Sequence, residues 1–185
     1  MIYVIRITGR DSEMAPSAHS AEQQLASFIA KFTPEVASLT HSILAMMRER
    51  YPTALELVYD NYNALAIGFS ATERPSQAIF SVAVFPKWVS LFFLNGKALP
   101  DPDKLLQGHG NVARHIRLPS PATLDELSVK KMMLEAAARA AVPFAPQGTP
   151  RIIIKSISAK QRPRRPGEDV PAPPGGQGKA RKKKP

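Results

Sequence analysis

The 185-residue sequence has no cysteine. Disulfides, thiolate metal sites and a cysteine nucleophile are therefore excluded, and the composition suits a reducing compartment. Aromatic residues are scarce at 7%, and Trp88 is the single tryptophan. No apolar run approaches the ~20 residues that a bilayer-spanning helix needs. No basic-then-apolar leader opens the chain, so it reads as a cytoplasmic protein with no membrane partner. Familiar catalytic signatures are missing too: no Gly-x-Ser-x-Gly elbow, no His-Glu-x-x-His, no Walker loop, no Rossmann glycine fingerprint. The reading is a non-enzymatic protein with no catalytic residue, no resident metal and no cofactor.

Acidic side chains are outnumbered, 15 against 25 Lys and Arg, for a net charge of +10. The excess is concentrated at one end. Residues 160–185 hold nine basic and two acidic side chains, with six prolines, four glycines and Val170 as the one sizeable apolar residue. Such a stretch cannot bury enough surface to offset its ordering entropy. We therefore expect three segments: residues 1–19 as an extension or edge strand, 20–159 as a folded domain, and 160–185 as a disordered basic tail. Met14-Ala15-Pro16 has the form of a translation start, which would make residues 1–13 an extension without a structural role.

The body alternates two periodicities. Ser20 and Gln23 form a capping-box pattern, and Leu25, Phe28, Ile29 and Phe32 recur at helical spacing. Thr33-Pro34-Glu35 then supplies an N-cap, a proline at the first helical position and an acid at the positive helix end. Val36, Leu39, Ile43 and Met46 or Met47 line that helix, which Pro52 stops near Tyr51. Strand material follows at 55–59 and 62–69 around an Asp60-Asn61 turn, then at 77–85, 87–94, 113–118 and 151–158. A third helix, capped by Thr123 and running to about Ala141, faces inward through Val129, Met133, Ala136 and Ala140. Strands cluster and do not alternate with helices. The expected class is α+β: a mostly antiparallel sheet of five to six strands, with two N-terminal helices and one C-terminal helix packed on it.

Two regions carry candidate chemistry. Tyr59, Asp60, Tyr62 and Asn63 place two phenols, a carboxylate and an amide around the hairpin tip. With Trp88 and His115 they form a candidate ligand site for an unknown small ligand or protein. The competing reading is structural: Asp and Asn build the turn, and the tyrosines cap the core edge. The second region is the tail. Arg162, Arg164, Arg165, Lys179, Arg181, Lys182, Lys183 and Lys184 are candidate nucleic-acid contacts, since each cation that meets a phosphate releases counterions. A purely solubilising tail is the alternative. Gly108-His109-Gly110 reads as a turn in preference to a phosphate cradle.

Several blocks resemble the YdhG-like family of domains of unknown function. They are Tyr59-Asp60-Asn61-Tyr62-Asn63-Ala64-Leu65, Thr72-Glu73-Arg74-Pro75-Ser76, Val89-Ser90-Leu91-Phe92-Phe93, Leu99-Pro100-Asp101-Pro102, Leu105-Leu106-Gln107-Gly108-His109-Gly110-Asn111 and Arg114-His115-Ile116. The resemblance spans roughly residues 20–160 and implies a small cytosolic α+β domain without assigned catalytic residues. One branch of that family is linked to frataxin-like iron chaperoning, so an iron chaperone is a further alternative. Asp101, Asp103, His109 and His115 are the side chains that would have to converge, at a spacing that matches no familiar ligand set. The family often has lysine after Gly-x-Gly, where this chain has Asn111. If that lysine held an anion, this chain would hold it less well.

Overall fold

A computed structural model describes residues 18–167 of the chain. Helix α1 spans Ala18–Ile29, beginning two residues before the expected Ser20. Helix α2 spans Pro34–Arg50 and starts as its sequence dictates: Thr33 Oγ1 accepts from the backbone N–H of Val36, and Pro34 occupies the first turn. Six strands follow: β1 Leu55–Asp60, β2 Leu65–Ser70, β3 Ala78–Phe85, β4 Trp88–Phe93, β5 Arg114–Leu118 and β6 Ile152–Ile157. Helix α3, Leu127–Ala138, lies between β5 and β6. Thr123 does not cap α3. It sits buried within a short 3-10 turn, Pro121–Asp125, that precedes the helix.

The strands form one sheet in the order β5-β4-β3-β2-β1-β6, antiparallel throughout except for the parallel pairing of β6 with β1. Register explains the core. Val58, Ile67, Val82, Leu91 and Ile116 stand in one row across five strands. Together with Leu25, Ile29, Ile43, Met47, Val129 and Met133 from the helices they make one buried cluster. All three helices therefore cover one face of the sheet. Alternate strand positions point to the other face, where the rows read Leu57-Gly68-Ser81-Phe92-His115 and Tyr59-Ala66-Ala83-Ser90-Arg117.

Residues 160–167 correct the expected start of a disordered tail. The chain leaves β6 and runs along the β1–β2 loop, with Ser158 N–H donating to the Asp60 carbonyl and Arg162 N–H to the Tyr62 carbonyl. Arg164 is 4% exposed, and Arg165 donates to the carbonyls of Phe32 and Ala30. The physical reason is a carboxylate placed in the core row of β1, which draws a cation in from the following segment. Residues 168–185 and 1–17, with the tail cations from Lys179 to Lys184 and the Met14 reading, lie outside the described residues.

Candidate functional site

The hairpin tip is built differently from its sequence reading. Asp60 is the last residue of β1 and lies outside the turn, which comprises residues 61–64 closed by Asn61 N–H to the Ala64 carbonyl. Its helix-side row is otherwise apolar: Leu65, Val84, Val89 and Leu118. Only 1% of Asp60 is exposed. One carboxylate oxygen takes Lys31 Nζ at 2.6 Å and the other takes Arg164 Nη2 at 2.9 Å. The Arg164 guanidinium also lies 5.3 Å from the centre of the Phe32 ring. Asp60 is thus consumed by the fold and offers nothing to a ligand, and Arg164 is not a free tail cation for nucleic acid. Arg165 is likewise engaged with the segment just after α1 through its two carbonyl contacts, while Arg162 is exposed.

Tyr59, Trp88 and His115 share the helix-free face but do not meet. Tyr59 on β1 and Trp88 on β4 are separated by three strand spacings, about 14 Å. His115 faces Phe92, four residues along β4 from Trp88, or about 13 Å. Tyr59 has a buried hydroxyl without a partner among the described residues, and burial raises its pKa. His115 stacks on Phe92 with ring centres 4.8 Å apart. Burial, and then the charge of Arg117, lowers its pKa below the usual 6.5. Trp88 stacks on Phe85 at 5.0 Å and carries the Arg117 guanidinium at 4.6 Å. Tyr62 and Asn63 stand exposed in the loop.

An apolar cleft lies at the opposite end of the sheet, about 17 Å along β4 from Trp88. Its volume is about 600 Å³. Ile79, near the start of β3, and Phe93, the last residue of β4, lie on its floor; Ala98 and Leu99 form one wall; Ala136, Ala140 and Val142 form the other. Polar groups ring the mouth: Gln77, Asn95, Lys97, Asn111 and Arg139. Two cations and no carboxylate occur among its sixteen lining residues. Arg139 is held in place, with Nε donating to Glu135 at 2.5 Å and Nη1 to the Ala98 carbonyl at 2.9 Å. Among the described residues Lys97 has no side-chain partner.

Local sequence explains the cleft. Gly96 opens the 3-10 turn Gly96–Ala98 against β5, where a Cβ would come within 2.6 Å of Arg114 Cβ, so only glycine lets the turn pack there. Alanines at 136, 140 and 141 leave the space that larger side chains would fill. Those two signals, Asn95-Gly96-Lys97 after a strand and an alanine-rich helix end, were present in the sequence. Neither states that the two segments face each other. None of the six candidate ligand residues lines this cleft.

A second cavity of about 350 Å³ lies between α2 and the start of β6. Tyr51 borders it, with a buried hydroxyl that has no partner among the described residues and a pKa pushed up to about 12 by burial. Glu56 and Arg48, also on its wall, are already paired in a two-point contact of 2.6 and 3.0 Å. The other carboxylates singled out in the sequence are spent on backbone and hydroxyl groups. Asp101 accepts from the N–H groups of Leu105 and Leu106, and Asp103 from Ser128. Among the described residues no three His, Asp or Glu side chains gather as a metal site, and no helix is long and apolar enough to cross a membrane. No family model, curated protein or solved structure matches the chain.

Proposed function

We propose that the protein is a non-enzymatic binding domain whose ligand has an apolar body and an anionic group, held in the cleft between the end of β4 and the last turn of α3. The observation that carries this reading is the composition of the cleft: an apolar floor and walls, with Lys97 and the Glu135-paired Arg139 at the mouth and no carboxylate among the lining residues. Its size falls within the ~300–1,000 Å³ range of small-molecule sites, and a few polar groups around an apolar interior are what such sites use for orientation. Arg139 is pinned before any ligand arrives, which lowers the ordering cost of binding. This moves the proposed ligand from the hairpin tip to the far end of the sheet. The YdhG-like family remains part of the proposal; the α+β architecture supports it as far as fold class goes.

The test is a thermal-shift and calorimetric screen of medium-chain and aromatic carboxylates against the matching neutral amides. Carboxylates should stabilise the protein and amides should not. Arg139→Ala should weaken the best carboxylate about tenfold, the scale of one hydrogen bond to a charged group. Asn111→Lys, which adds a cation to the rim, should tighten it. Equal stabilisation by amide and carboxylate, or none by either, would reject the reading. Nucleic-acid binding through the tail is the alternative, now resting on Arg162 and the cations from Lys179 to Lys184. The iron alternative has no cluster of ligands in the described residues to support it.

A further inference from the structure

Among the described residues, the strand side chains on the helix-free face of the sheet include rings and cations but no carboxylate. The only acids in the six strands are Glu56 and Asp60, and both stand in rows that face the helices. The opposite face presents Tyr59, Phe85, Trp88, Phe92 and His115, with Arg117 among them. Trp88 is 37% exposed, although a tryptophan usually buries most of its surface. It stacks on Phe85, and the exposed guanidinium of Arg117 lies over its ring. That cover is weak, because a cation over a ring in contact with water contributes little. It is also replaceable: Arg117 can swing from the indole to a phosphate, leaving the ring to a planar group.

The hairpin end of this face adds the rest. The β1–β2 loop and the β3–β4 turn lie at the same end of the sheet. Tyr62, 51% exposed, stands in the first and Lys87 in the second. Exposed Lys160 and Arg162 run beside the first loop, fixed there by the bond from Arg162 N–H to the Tyr62 carbonyl. Between the rings stand small residues: Ala66 and Ser81 are half-buried, and Gly68, Ala83 and Ser90 are buried. Flat, acid-free surfaces with aromatic rings and flanking cations are what bases and phosphates of an unpaired strand require, whereas duplex bases are already stacked on each other.

We infer that the hairpin end of the helix-free sheet face binds single-stranded nucleic acid, with Trp88 stacking a base and Arg117, Lys87 and Arg162 meeting the phosphates. Trp88 is its own reporter, being the sole tryptophan. The full chain is titrated with unlabelled oligo-dT and oligo-rU of about twelve nucleotides, and with a duplex of equal length. Single strands should quench Trp88 emission and bind more tightly than the duplex, and the affinity should fall steeply from about 50 to 200 mM salt. The two oligomers distinguish RNA from DNA as the preferred strand. By anisotropy with labelled strands, Trp88→Ala should weaken binding roughly five- to a hundred-and-fifty-fold, and Arg117→Gln should lower the salt slope by about one. A full chain with Lys179, Arg181, Lys182, Lys183 and Lys184 all changed to glutamine should still show the quench. Unchanged emission at saturation, duplex binding as tight as single-strand binding, or loss of all binding in the glutamine-tail variant would overturn the proposal. The quench is read on the native chain, so misfolding of Trp88→Ala would not shield it.

Discussion

At the scale of single residues, His115 shows how position on the sheet turns a common side chain into a sensor of pH. Its ring is pressed between Phe92 and the Gln107–Gly108 segment, where a Cβ at Gly108 would lie 3.3 Å from His115 Nδ1. Burial and then Arg117 disfavour the imidazolium, so the folded pKa is below the unfolded value of about 6.5. The unfolded chain therefore takes up the proton first as pH falls. Stability is fully present above about pH 6.5, declines as pH drops towards the folded value and levels off beneath it. His115→Phe keeps the ring and removes the titration. Melting temperatures measured between about pH 7.5 and 5 should fall less in this variant than in the parent. An identical decline in both would show that another group is responsible. The sequence presented His115 beside Arg114 as one member of a possible site; its partners, Phe92 and Arg117, came from strand pairing.

At the scale of elements, the first part of the supposed tail is a clamp. Residues 158–165 tie the β1–β2 hairpin to the end of α1 through Asp60, Lys31, Arg164 and Arg165. Replacing Asp60 with leucine matches its apolar row but leaves the Arg164 charge buried and unpaired. Urea unfolding of Asp60→Leu should show a loss of about 3–5 kcal/mol, and adding Arg164→Met should recover most of it, since a buried pair can be exchanged for apolar side chains at little cost. A double variant no more stable than the single would show that Arg164 is not charged against Asp60 as described. Helix α2 was legible because Thr33-Pro34 carries its own start signal. The β3–β4 hairpin was legible because both strands are largely apolar runs broken at Pro86. The clamp was not, because composition counts Arg164 as one more cation in a proline-rich stretch and cannot see the carboxylate it reaches, 104 positions earlier.

At the scale of the whole molecule, the sheet separates two surfaces. The cleft lies on the helix side at one end; the ring-bearing surface lies on the other face at the opposite end, about 17 Å away along the strands. The core between them is one buried apolar cluster. Saturating the cleft with its best carboxylate should therefore leave oligonucleotide affinity unchanged within about twofold, because coupling needs an element whose equilibrium both sites bias. A tenfold change in anisotropy titrations, in either direction, would mean that ligand and strand compete or communicate.

Local rules decided much of this protein from its sequence: α+β class, three helices, a clustered set of strands, and a charge excess gathered at one end. Each follows from spacing between near neighbours, and near neighbours are what a linear string displays. Tertiary structure alone decided which side of the sheet each polar residue faces, that Asp60 belongs to the core and Arg164 with it, and that Gly96-Lys97 and the alanines of α3 enclose a cleft. Those outcomes depend on strand order and register, which pair residues tens of positions apart, and a one-residue shift of register would send every one of those side chains to the other face.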